Sequence, residues 1–127
     1  MITCNSLEGK FRCSTKVKEF EIVSDATIEK GGQGQGFRPH DILESAYASC
    51  LNIFVQMLCE KMKISSDNIS VMVDLTRLES KTIFNYSIKF GDNFSEGQKE
   101  KILKAVEGCP VRKTLSKSIE FELKNDL

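Results

Sequence analysis

Residues 39–63 read PHDILESAYASCLNIFVQMLCEKMK, and this stretch decides the fold. Ile42, Leu43, Ala46, Tyr47, Cys50, Leu51, Phe54, Val55, Leu58 and Met62 recur at spacings of three and four, which draws one broad apolar stripe along a helix. Pro39 suits the first helical turn, and Asp41 complements the positive end of the helix dipole. The spacing predicts one helix from Pro39 to about Lys63, apolar enough to lie at the centre of the molecule and to be largely buried.

Upstream lies GGQGQG, Gly31 to Gly36, followed by Phe37-Arg38. Before it, Ile2 to Asn5, Lys10 to Ser14 and Glu19 to Val23 are short, partly alternating runs that read as strands. Downstream, Asn68 to Thr76 and Thr82 to Phe90 alternate with period two and read as a hairpin across Glu79-Ser80-Lys81. Ser95-Glu96 opens a second helix, with Ile102, Leu103, Ala105 and Val106 on its inner face and Gly108 at its close. Cys109-Pro110 restarts a short helix through Leu115, and Ser118 to Leu123 alternates as a last strand. The order β-β-β-α-β-β-α-β describes an α+β domain with mainly antiparallel sheet.

A length of 127 residues favours a single domain over 1–127, since no linker or repeat divides the chain. Eighteen Lys and Arg balance eighteen Asp and Glu, so there is no net field to draw a phosphate backbone, which argues against nucleic acid as a partner. Five cysteines cannot all pair within one chain, no CxxC occurs, and MITCNSLEGK lacks the apolar core of a secretion signal. A cytoplasmic protein with free thiols is the expectation. No membrane span is expected either, because the apolar run from Ala46 to Cys59 is short and interrupted by Ser49, Asn52 and Gln56.

Several familiar chemistries fail on their spacing. Gly31 and Gly36 match the outer glycines of a phosphate loop, but Phe37-Arg38 stands where Lys and Ser or Thr are required. A dinucleotide fingerprint has Phe37 in place of its third glycine, so the stretch reads as a mobile loop or strand connection. One His and scattered Cys supply no metal site. His40 precedes Cys50 by ten residues on the same helix, roughly 15 Å along its axis, which excludes a protease-like Cys-His pair within one chain.

Two cysteines stand out. Cys109, as the N-cap before Pro110, is expected to aim its sulfur at free N–H groups, which favours a thiolate. Cys50 lies within the apolar stripe, where a cysteine is ordinarily an inert small hydrophobe unless a cation reaches it. Cys4 and Cys13 fall on strands, and Cys59 lies about half a turn round the helix from Cys50; these three read as structural or incidental.

The glycine-rich loop, the helix reading Pro39-His40-Asp41-Ile42-Leu43-Glu44-Ser45-Ala46-Tyr47-Ala48-Ser49-Cys50, and the later Gly108-Cys109-Pro110-Val111 together resemble the OsmC/Ohr family of osmotically induced and organic-hydroperoxide-resistance proteins. The likeness covers nearly the whole chain and lies nearer a less characterised OsmC-like branch, whose acid falls at Asp41 instead of directly after the proline. It implies an OsmC-like fold with two antiparallel sheets, a long central helix and an intertwined homodimer. It also implies a thiol-dependent peroxidase. Cys50 attacks an organic hydroperoxide and becomes a sulfenic acid, Cys109 resolves it to a disulfide, and a dithiol reductant such as dihydrolipoamide or a thioredoxin-type partner resets the pair. The family's activating acid and arginine would correspond to Asp41 or His40 and to Arg12 or Arg38. His40 and Asp41 are too far along the helix to touch their own Cys50, so any such role acts in trans. Tyr47, Phe54 and Met57 would line an apolar pocket near Cys50. No cofactor and no metal follow from the residues.

The alternative from the same fold is a small-molecule-binding protein with little or no peroxidase activity, its pocket taking some other apolar molecule. Without a cation at Cys50, apolar surroundings suppress the thiolate.

Overall fold

The computed structural model describes residues 1–125. Within them the chain packs as two compact units, one over residues 1–45 and the other from Ala46 onward.

In the first unit β1 (Thr3–Ser6), β2 (Cys13–Val17) and β3 (Phe20–Ser24) form an antiparallel meander in the order β1-β2-β3. The second strand begins three residues later than its alternation suggests. Gly9 and Phe11 adopt positive φ, 93° and 63°, and turn the chain where a strand was expected to start. The glycine-rich stretch is held, not loose. Asp25 is 3% exposed, and its carboxylate accepts backbone N–H bonds from Ala26 at 2.7 Å, Gln33 at 3.2 Å and Gln35 at 3.0 Å. Those bonds, that of Gln35 first, lower its pKa and keep it ionised. At Gly36 a Cβ would stand 2.6 Å from the Val23 carbonyl oxygen, so glycine is required by close approach.

Helix α1 (Pro39–Met62) gives its first seven residues to the first unit and the rest to the second. In the second unit β4 (Ser70–Arg77) and β5 (Thr82–Lys89) form an antiparallel hairpin. Helix α2 (Glu96–Ala105) starts at a capping box in which Ser95 and Gln98 exchange side-chain and backbone bonds. A single 3₁₀ turn, Val106–Gly108, leads to α3 (Pro110–Leu115). The core is Tyr47, Leu51, Val55 and Cys59 of α1 with Phe94, Ile102, Val106 and Cys109.

Three expectations change. Helix α1 is only half covered: the row at every fourth residue from Tyr47 to Cys59 is buried, while Leu43, Ile53 and Met57 are exposed. By length and composition α1 is also apolar enough to cross a membrane, because Ser49, Asn52 and Gln56 are too few to lower its hydropathy; a core helix passes the same test. Finally, Ser118 to Leu123 forms no strand. Among the described residues nothing pairs with it, and Ile119, Phe121 and Leu123 face solvent.

Candidate active site

Cys50 stands near the middle of α1, and Cys109 stands at the N-cap of α3. Both belong to the second unit, which brings their sulfurs together: Cys50 Sγ and Cys109 Sγ share a hydrogen bond at 2.7 Å. Cys109 is fully buried and Cys50 half-buried; both are free thiols.

The turn that places Cys109 also corrects an expectation. Its backbone caps α3, with Pro110 in the first turn, but its side chain makes no capping bond. The sulfur turns towards Cys50 instead. Val111, in the first turn of α3, lines the same cavity as Cys50, and its backbone N–H favours the Cys50 thiolate. Thus the donor at the helix start serves Cys50, not the cysteine that caps the helix.

Burial pushes the Cys50 thiol up, the bond with Cys109 adds to this, and the Val111 N–H works against both. No arginine or lysine figures among these influences. As a single chain, therefore, the site holds Cys50 protonated at neutral pH.

Cys50 opens into a cavity of about 430 Å³ lined by Ala46, Ser49, Ile53, Phe54, Met57, Pro110 and Val111, nearly all apolar surface. Of the three residues expected in a pocket near Cys50, Phe54 and Met57 line this single-chain cavity. Tyr47 does not. Three residues before Cys50, it turns to the hairpin, meeting Phe84 and Tyr86 edge-on at ring-centroid distances of 5.5 and 5.8 Å. There it lines a separate cavity of about 330 Å³ with Glu107 and Arg112. Arg112 shares this cavity with both tyrosines, and its guanidinium and their phenols act on one another electrostatically, which links α3 to α1 and β5. Sequence reasoning passed over Arg112 and the Val111 N–H. The signal available was position alone: Arg112 follows Cys109 by three residues, one helical turn.

The remaining candidates belong to the first unit. Arg38 and Asp41 bond each other, with Arg38 Nε at 2.9 Å and Nη2 at 2.6 Å from Asp41 Oδ1, and the Arg38 N–H at 2.8 Å from Oδ2. The Arg38 side chain, first of all, holds the Asp41 carboxyl below its usual range. His40 is half-buried in the first turn of α1. Arg12 precedes β2; its Nη1 donates to the Glu8 carbonyl at 3.3 Å, while its Nε is covered and has no hydrogen-bond partner. Among the described residues no group of His, Cys, Asp and Glu could hold a metal.

Two adjoining thiols lie beneath an apolar cavity, between a long helix and a Cys-Pro turn, in an α+β frame of the OsmC-like fold. The chain belongs to the OsmC-like protein family, whose model matches residues 32–124. Among solved structures it is similar to an osmotic stress induced and detoxification response protein of Psychrobacter arcticus, with a TM-score of 0.76 and 21% identity over 89% of this chain and 85% of that one. An OsmC like protein of Mycoplasma pneumoniae matches at TM-score 0.70 and 22% identity, over 91% and 85% of the two chains. The organic hydroperoxide resistance protein OhrB of Bacillus subtilis matches at TM-score 0.65 and 19% identity, over 91% and 89%. No curated protein matches the chain in sequence.

Proposed function

We propose that the protein is a thiol-dependent peroxidase that reduces organic hydroperoxides through Cys50, with Cys109 as resolving thiol and a dithiol as reductant. The single observation that carries this reading is the 2.7 Å approach of the two sulfurs under an apolar cavity. Family membership and a neighbour that is an organic hydroperoxide resistance protein support it.

The Cys50 thiolate attacks the distal oxygen of the hydroperoxide. The O–O bond breaks, the alkoxide takes a proton and leaves as alcohol, and Cys50 becomes a sulfenic acid. Cys109 then attacks that sulfur; the S–O bond breaks, water leaves, and a disulfide joins the pair. A dithiol such as dihydrolipoamide returns both thiols and is itself oxidised to a disulfide. Val111 N–H steadies the developing charge on Cys50 before attack.

Ionising Cys50 needs a cation, and we assign it to a second copy of the chain in a homodimer. Arg38 is already committed to Asp41, so Arg12, with its unpartnered Nε, is the better source; Asp41 and His40 remain candidates for orienting it. The exposed Leu43, Ile53 and Met57 of α1 and the solvent-facing Ile119, Phe121 and Leu123 are the apolar surface such a dimer covers. A reduced, cytoplasmic setting suits the free thiols.

The raised pKa of Cys50 favours a second reading, a binding protein whose cavity holds an apolar molecule without turnover. Consumption of cumene hydroperoxide with dihydrolipoamide separates the two. The peroxidase reading expects turnover in the wild type and its loss in Cys50→Ser. Equal, near-zero rates in both refute it and leave the binding reading.

A further inference from the structure

The first unit carries another pair of cysteines that the chemistry above does not use. Cys4 lies on the edge strand β1 and Cys13 on β2; in register Cys4 faces Thr15, and Ser6 faces Cys13. Because side chains alternate along a strand, Cys4, Thr15 and Cys13 project from one face, the two cysteines being diagonal neighbours. Thr15 stands directly opposite Cys4 across one ladder and Ser24 directly opposite Cys13 across the next, so each cysteine has a hydroxyl-bearing neighbour. Cys4 is exposed and Cys13 half-buried.

The two thiols are unequal. Thr15, then Cys13, favours the Cys4 thiolate and holds its pKa below the usual range, whereas Cys4 and burial push the Cys13 thiol up. An accessible thiol eased towards the thiolate beside a more protonated neighbour is the arrangement of an attacking and a resolving cysteine.

We propose that Cys4 and Cys13 form a second redox-active dithiol, oxidised by hydroperoxides to a reversible cross-strand disulfide without help from Cys50 or Cys109. The Cys4 thiolate attacks the peroxide's distal oxygen, the O–O bond breaks, and the alcohol leaves with a proton. Cys13 attacks the resulting sulfenic sulfur and loses its proton; the S–O bond breaks and water leaves. The two electrons come from the thiols and end on the peroxide oxygens. A dithiol reductant reverses the change.

Diagonal neighbours stand about 7–8 Å apart at Cα, just outside the range of about 4.4–6.8 Å that a relaxed disulfide spans. Closing the bond therefore pulls β1 towards β2. Strand β1 is four residues long, exposed throughout and, among the described residues, paired on one side only, so it can yield. A disulfide formed under such strain is readily reduced, which suits a site that senses and resets.

The experiment is peptide mapping of the full chain after cumene hydroperoxide, with remaining thiols blocked by N-ethylmaleimide before trypsin. Cleavage after Lys10, Arg12 and Lys16 puts Cys4 in peptide 1–10 and Cys13 in peptide 13–16. We expect these two peptides joined in wild type and equally in Cys50→Ser/Cys109→Ser, and released by dithiothreitol. In Cys13→Ser the link is lost and Cys4 carries sulfenic or sulfinic acid. Two separate maleimide adducts, or a link found only between chains, overturn the proposal. If the double variant does not fold, Cys50→Ser alone carries the test of independence: a link present in wild type but absent there overturns the proposal, and a link present in both stands apart from whether Cys50 turns over substrate.

Discussion

Replacing Arg112 with methionine keeps the length of the side chain and its helix preference while removing the guanidinium that ties α3 to α1 and β5. Tyr47 is 3% exposed, so its hydroxyl loses a charged partner that water cannot replace, a loss of about 1–3 kcal/mol. Tyr86 is half-buried and recovers water, contributing little. Arg112 is itself half-exposed, and solvent screening brings the total to roughly 1–2 kcal/mol. Urea unfolding reads this as a lower midpoint at unchanged slope. The electrostatics give a second readout. Burial raises the Tyr47 pKa above its ordinary 10.0, and the charge of Arg112 is the first influence opposing that rise. Ultraviolet titration of the variant should therefore show Tyr47 ionising at still higher pH. With the folded pKa raised, the stability held by the neutral phenol is complete below pH 10 and falls as pH rises beyond it, further in the variant than in wild type. On the proposed function, a loosened α3 slows resolution by Cys109, so Cys50 sulfinic acid accumulates per turnover while first attack keeps its rate. An unchanged urea midpoint together with an unchanged Tyr47 titration refutes the reasoning.

Other substitutions probe other parts of the account. Leu51→Ala empties a fully buried position beside Cys50 and should lower unfolding free energy by about 3 kcal/mol, measured by urea denaturation; a loss under about 1 kcal/mol contradicts the assigned core. Ser95→Ala breaks the capping box of α2 and should lower it by about 1 kcal/mol. Alkylation of Cys50 should move to higher pH in Arg12→Met and stay in place in Arg38→Met, since Arg38 is spent on Asp41; the reverse order refutes the choice of Arg12. Met57→Glu places a charge in the Cys50 cavity and should raise KM for cumene hydroperoxide with little change in kcat.

Much of the fold is legible because its signals are local. The spacing of Leu51 and Val55, Pro39 at the helix start, the period-two runs flanking Glu79-Ser80-Lys81 and the Ser95 capping box each act within a few residues. What the sequence hid depends on partners far along the chain. The start of β2 was displaced by positive φ at Phe11, which nothing in a three-residue window announces. Ser118 to Leu123 alternates like a strand, but alternation specifies only that one face wants cover; pairing needs a neighbour, and the described residues of this chain provide none. At the site, the local sequence singles out Cys50 and Cys109 separately, and only the family resemblance implies them as a pair. The direction of the Cys109 side chain was not, because Sγ chooses between capping α3 and meeting Cys50, and only tertiary packing decides. Arg112 was missed for the same reason: its tyrosine partners lie 65 and 26 residues away, on α1 and β5.

The central claim is that Cys50 and Cys109 exchange two electrons with an organic hydroperoxide, and limiting oxidation followed by non-reducing peptide mapping tests it most directly. Limiting cumene hydroperoxide should join the Cys50 and Cys109 peptides in the wild type, leave Cys50 as sulfenic or sulfinic acid in Cys109→Ser, and leave Cys109 reduced in Cys50→Ser. Recovery of both cysteines as free thiols from wild type, with the peroxide unconsumed, contradicts the account.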